Sequence, residues 1–280
     1  MLLELAIGDA YGAGFEYVSP YTLALYNDLA GYVQHPTHYI TPGCYTDDTQ
    51  MSIAVAEAIV SGDSWTSLGL ANSFVEVYKR DPREGYSASF RAFLGRVRDG
   101  SQFLAEIRPT SDKSGAAMRS GPIGVFPSPE EVTRRAALQA AITHNTPSGI
   151  NASIASALMT HYFIYGGHKL GLAAFLEEHL PGEWSAPWRG KVGSKGWMSV
   201  RAAITALAQS SSMSELLTTC IAFSGDVDTV ATIALAAGSC SQEIAQDLPP
   251  HLISTLENGP YGRDYLIDLD ARLMSLANRP

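Results

Sequence analysis

Two short stretches, Thr46-Asp47-Asp48-Thr49 and Asp226-Val227-Asp228-Thr229, each place a pair of carboxylates at the head of a run too apolar for a surface helix. Residues 47–60 carry Met51, Ala54, Val55, Ala58 and Ile59 on one side, and residues 228–239 are apolar on most faces. A fold that buries both runs draws their acidic heads toward one centre. Carboxylates gathered there repel one another unless protons or cations neutralise them. Hard divalent cations such as Mg²⁺ or Mn²⁺ suit this oxygen-only donor set, with threonine hydroxyls and carbonyls completing the shell. Two such ions would balance the four charges. The plainer reading makes Thr46 a helix N-cap and lets the acids favour the helix dipole, at roughly 0.3–1 kcal/mol each.

Helical periodicity dominates elsewhere. Ser128-Pro129-Glu130-Glu131 is a capping box with proline at the first helical position, and it predicts a helix to about residue 142. Residues 147–165 are small or apolar nearly all round, as a central buried helix requires, and Gly166-Gly167 stops them. A further helix starts near Ser214, and residues 261–277 form an amphipathic one. No alternating run is bounded by a tight turn. Residues 219–223 read as a short strand or as a helix end, and residues 181–197 as a long surface loop. The expectation is one all-α domain over residues 1–280.

The formal charge of −9 argues against a nucleic-acid-binding surface, which needs a basic footprint. Cys44, Cys220 and Cys240 are odd in number and lack CxxC spacing, so they read as thiols in a reducing cytoplasm. The first residues are no signal peptide, because Glu4 and Asp9 interrupt them, and no stretch is long enough for a membrane span.

Three further features carry chemistry. Gly8-Asp9-Ala10-Tyr11-Gly12-Ala13-Gly14 lets backbone approach backbone closely and sets Glu16 just past a short apolar helix. The run from Ser114 through Gly115, Ala116, Met118 and Arg119 to Pro122-Ile123-Gly124 describes a tight loop whose amides can face phosphate oxygens. His144 in Thr143-His144 is a packed histidine or a phosphate or ribose contact, and Gly85-Tyr86 offers a second glycine loop with a stacking ring. The other histidines, His35 among them, show no ligand spacing and read as surface or packing residues.

These motifs, in this order, resemble the ADP-ribosylglycohydrolase family. The resemblance rests on Gly8 to Ala13 with Glu16, on Tyr45-Thr46-Asp47-Asp48-Thr49-Gln50-Met51, on Gly115 to Arg119 with Pro122-Ile123-Gly124, on Thr143-His144 with Pro147, and on Gly225 to Ala231. It implies a compact, single-domain orthogonal helical bundle with a central binuclear metal cleft. Thr46, Asp47, Asp48, Asp226, Asp228 and Thr229 would hold two Mg²⁺ or Mn²⁺ ions, and Glu16 would be the acid–base residue or the organiser of the attacking water. Ser114, Gly115, Ala116, Met118 and His144, with Gly85 and Tyr86, would hold the ADP-ribose, and Asp9 would orient the metal ligands. Ser114 stands where the family usually has asparagine, Thr146 where a second histidine often follows, and Ser224 and Val227 replace a glycine and a threonine. None of these changes removes a ligand.

The activity implied is hydrolysis of the bond between ADP-ribose and a modified target, with ADP-ribose as product and a monomer as the working form. Arginine is the preferred linkage, with serine, a nucleobase or a small molecule as the others. Two readings compete with it. The resemblance extends to lens crystallins, which admits a non-catalytic relative. Asp226-Val227-Asp228-Thr229-Val230 also fits the haloacid-dehalogenase pattern, which would require an α/β sheet and a downstream lysine, and no lysine follows position 230.

Overall fold

The computed structural model describes residues 1–62 and 64–277. Six helices come first: α1 (Leu2–Ala13), α2 (Pro20–Tyr26), α3 (Asp47–Val60), α4 (Ser67–Arg80), α5 (Ala88–Arg96) and α6 (Gly100–Glu106). Two 3₁₀ turns, Ser114–Ala116 and Gly121–Val125, lead to α7 (Pro129–Ala141) and α8 (Pro147–Ile164). The rest are α9 (Leu172–His179), α10 (Gly196–Gln209), α11 (Met213–Ala222), α12 (Val227–Gly238), α13 (Pro250–Thr255) and α14 (Arg263–Met274). Among the described residues the only β pairings are isolated bridges. The fold is all-α, and the haloacid-dehalogenase reading falls with the missing sheet.

Local chemistry places these elements where the sequence put them. Ser128 accepts the Glu131 amide with Pro129 at the first position of α7, and Thr146 accepts the Gly149 amide ahead of Pro147 in α8. Each cap is worth about 1 kcal/mol. The ambiguous segment 219–223 is the end of α11. Residues 181–195 form the expected loop, largely exposed, with α10 taking over at Gly196, but two of its side chains turn inward. Trp184 and Val192 are buried, and Val192 exchanges backbone hydrogen bonds with Ser224 (2.9 Å) and Asp226 (3.2 Å). The loop therefore props up the second acidic cluster.

Every residue of α12 is buried, and α8 is buried along most of its length. Around this pair lie α1, α10, α11 and α3, with α14 closing over α1 and α3. The buried apolar side chains form one connected cluster from Met1 to Leu273, from which we infer a single domain over residues 1–280. Among the described residues no helix is long and apolar enough to cross a membrane.

The crossing of α1 and α12 is built on glycine. A methyl group at Gly8 would stand 2.8 Å from the Ala231 carbonyl, and one at Gly12 would enter the backbone of Asp228. With no side chain between them, α1 and the head of α12 touch backbone to backbone. We predict that Gly12→Ala destabilises the protein by about 1–3 kcal/mol through overpacking. Urea denaturation would measure this, and an unchanged midpoint would show that the crossing has slack.

Candidate active site

The carboxylate of Asp9 caps a helix it does not belong to. It sits on α1, fully buried, and its oxygens accept four hydrogen bonds from the head of α3. The amides of Thr46 and Thr49 donate to Oδ2 at 2.9 Å each, the Thr49 hydroxyl donates to Oδ2 at 2.6 Å, and the Thr46 hydroxyl donates to Oδ1 at 2.7 Å. Thr46 holds the N-cap position of α3 as expected, but its side chain makes no capping bond to its own helix, and that part of the reading is corrected. Asp226, at the N-cap position of α12, makes no capping bond either. Neither N-cap side chain is thus spent on its own helix.

The acids of both clusters converge on one cavity of about 500 Å³. Asp47, Asp48, Asp226, Asp228 and Thr229 line it, together with Glu16, Gly85, Tyr86, Ser114, Gly115, Met118 and His144. One carboxylate oxygen from each of Glu16, Asp226 and Asp228 lies within 4.8 Å of the others. Asp47 and Asp48 stand beside this trio without joining it at that distance, and Thr229 bridges the gap. Its amide donates to Asp228 Oδ1 at 2.9 Å, and its side chain favours the charged form of Asp48.

Two expected contacts do not line the cavity. Ala116 is wholly buried among the core helices, and Thr46 is turned toward Asp9. Tyr86 is buried, and its hydroxyl donates to Gln50 Oε1 at 2.7 Å, so it serves as packing as much as wall. The more open ring is Phe90, on the next turn and 5.9 Å from Tyr86. Gly85, at φ +101°, lays its backbone directly over Asp47, where a side chain would collide with the carboxylate.

The electrostatics are set by burial and by like charges. Burial, reinforced by neighbouring carboxylates, holds Asp47, Asp48 and Asp228 well above the usual carboxylate range. Burial and the charge of Glu16 push Asp226 up to about 6. Oδ1 of Asp48 and Oδ2 of Asp226 are buried with no hydrogen-bond partner. Orphaned carboxylate oxygens in an all-oxygen donor set fit a hard divalent cation.

The opposite wall presents a neutral donor. Arg119, buried over the Phe74 ring, donates to Gln139 Oε1 at 2.7 Å and to the Thr143 hydroxyl at 2.8 Å. Thr143 Oγ1 lies 2.7 Å from His144 Nδ1. Because Arg119 can only donate, the threonine proton turns to Nδ1 and leaves the imidazole hydrogen on Nε2. Burial and the nearby Arg119 charge push His144 down to about 3, so the ring is neutral. Its Nε2–H edge packs against Gly115, which narrows the expectation of a packed or ligand-contacting residue to a fixed donor at the cavity wall.

His35 is the residue that spacing could not find. It is buried and packed as one of the two readings has it, and its Nε2 lies 3.0 Å from Glu16 Oε2, a contact that neither reading included.

Comparison with known proteins decides what this site belongs to. The ADP-ribosylglycohydrolase family profile matches residues 1–280. The chain belongs to that family. It is 34% identical over 148 residues to the ADP-ribosylhydrolase ARH3 of Bos taurus, covering 49% of this chain and 39% of that protein. It is 26% identical over 259 residues to an ADP-ribosylarginine hydrolase of Pseudomonas putida, covering 83% and 67%. Against the ADP-ribosyl-[dinitrogen reductase] glycohydrolase of Rhodospirillum rubrum the figures are 27% over 184 residues, 63% and 60%. The chain thus spans about half the length of most of the curated relatives it matches. A solved structure titled ADP-ribosylglycohydrolase-related protein complex superposes with a TM-score of 0.76 at 20% identity, over 99% of this chain and 96% of that one, and establishes the shared fold.

The raised carboxylates make a signed prediction for the metal-free protein. Asp226 shifts from 3.8 to about 6 on folding, so the native state keeps a proton that the unfolded state has lost. This contribution favours folding below the unfolded value and is lost as pH rises through about 6. Thermal denaturation in chelator should therefore show this loss over that window, and Mg²⁺ should raise the melting temperature more near neutral pH than near pH ~5. An Mg²⁺ effect independent of pH would contradict the assignment of these carboxylates to a cation.

Proposed function

We propose that the protein is a divalent-cation-dependent glycohydrolase that releases ADP-ribose from a modified target. The observation that carries this reading is the trio of Glu16, Asp226 and Asp228 within 4.8 Å, beside Asp48, in a cavity with two orphaned carboxylate oxygens. A structural or purely binding relative has no need to keep buried acids in that state, and this disfavours the crystallin-like alternative.

In this reading the cavity-lining Asp47, Asp48, Asp226, Asp228 and Thr229 would hold two Mg²⁺ or Mn²⁺ ions, and Thr46, which does not line the cavity, would join them only through its hydroxyl oxygen. The Thr46 hydroxyl gives its proton to Asp9, which directs that proton away from the oxygen lone pairs a ligand would offer. Bound ions supply polarisation of the ribose hydroxyls and of water. The chain's own residues do the rest. Ser114, Gly115, Met118 and the Nε2–H of His144 seat the diphosphate and the ribose, and Gly85, Tyr86 and Phe90 form the facing wall. Ala116, expected among these contacts, supports the loop from the core. Glu16 stands where it can take a proton from water or hold that water on the anomeric carbon while the C–N or C–O bond opens.

Arginine is the preferred linkage, supported by the 83% of this chain aligned with the ADP-ribosylarginine hydrolase. We place the working form as a monomer in a reducing cytoplasm, in keeping with the three free cysteines. A panel of ADP-ribosylated arginine, serine and nucleic acid, assayed for Mg²⁺- or Mn²⁺-dependent release of ADP-ribose, tests the reading. Arginine should be cleaved fastest, and no release from any member would overturn the enzymatic assignment.

Two substitutions separate the roles. Glu16→Gln should lower turnover by about 10²–10⁴-fold with ADP-ribose affinity nearly unchanged. Normal turnover would remove Glu16 from the mechanism. Asp228→Asn should weaken Mg²⁺ binding in calorimetry, and unchanged binding would remove it from the cation site.

A further inference from the structure

We propose that His35 is a positioning residue for Glu16, a neutral imidazole whose single ring hydrogen is fixed on Nε2 and donated to the glutamate. The inference rests on reading Glu16 as the residue that handles the attacking water.

The loop between α2 and α3 locks the tautomer. Nδ1 of His35 receives two backbone amide hydrogens, from Thr37 at 3.1 Å and from His38 at 3.0 Å. A ring nitrogen that accepts N–H bonds carries no hydrogen of its own, so the imidazole hydrogen sits on Nε2. Nε2 faces Glu16 Oε2 at 3.0 Å, and the carboxylate is the acceptor. The ring is buried and packed edge-on against His38, with centroids 4.8 Å apart, so it has little freedom to turn away.

This arrangement answers a mechanical problem. Glu16 is half-buried in the turn after α1 and lies close to Asp226 and Asp228. When these neighbours are ionised, like charges at that distance push its side chain outward. The backbone next to it is tied down by the Tyr17 amide donating to the Gly225 carbonyl at 3.0 Å, with Tyr17 held at φ +53°. The side chain itself needs a separate tether, and His35 supplies one at Oε2. That leaves Oε1 for water. A neutral donor suits this place better than lysine or arginine, because it orients the carboxylate without adding a positive charge that competes with cations.

Three measurements on the full chain test the proposal. Imidazole ¹⁵N shifts should report the Nε2–H tautomer for His35 and should move in Glu16→Gln. An Nδ1–H or doubly protonated ring would overturn the lock whether or not a substrate has been found. In steady-state kinetics with ADP-ribosylarginine and saturating Mg²⁺, His35→Ala should lower kcat by about ten- to a hundredfold with KM little changed. His35→Gln, whose amide can donate to the same oxygen, should recover part of the loss, and Glu16→Gln/His35→Ala should be no slower than Glu16→Gln alone. Wild-type kcat in His35→Ala, additive losses in the double variant, or a change confined to KM would each overturn the proposal. Full turnover in Glu16→Gln would instead overturn the reading of Glu16, while the tautomer measurement still judges the lock.

Discussion

The site depends on a single helix touching two others with two different faces. On one face of α1, Gly8 and Gly12 remove every side chain between it and the head of α12. On an adjoining face, Asp9 takes four hydrogen bonds from the head of α3. Successive helix positions lie about 100° apart, so neighbouring residues serve different partners. Two clusters separated by nearly 180 residues meet because α1 holds both. Its end then delivers Glu16 beside them.

Packing of this kind explains why the acids can be buried at all. A carboxylate out of water needs donors or an opposite charge. Asp9 has donors and is satisfied. Asp48 and Asp226 keep orphaned oxygens. The difference separates a carboxylate that builds the fold from carboxylates that, in the proposed reading, are held for a cation. Across the cavity the same economy appears in neutral form, since Arg119 and Thr143 together fix the hydrogen on His144.

Much of the architecture was legible in the sequence because it is locally encoded. The bounds of α3 follow from an acidic head and an apolar face, those of α7 from a capping box, and those of α8 from Thr146-Pro147 and a glycine stop. The meeting of the two acidic heads followed from burial logic and needed no geometry. What escaped was long-range or conformational. His35 reaches Glu16 only because its loop folds back over the turn after α1. Val192 braces Asp226 from within a segment whose prolines and glycines signal only a loop. Thr46 holds the N-cap position its sequence context signals, and only the tertiary position of Asp9 redirects its side chain. Ala116 shares a motif with cavity residues, yet on its 3₁₀ turn it is wholly buried and does not line the cavity.

The central claim is that the two helix heads form one divalent-cation centre. Anomalous diffraction from crystals grown with Mn²⁺ tests it most directly. The account predicts manganese peaks within coordinating distance of carboxylates from both clusters, including Asp48 and Asp228. Manganese held by one cluster alone, or bound elsewhere on the surface with this cavity empty, would contradict it.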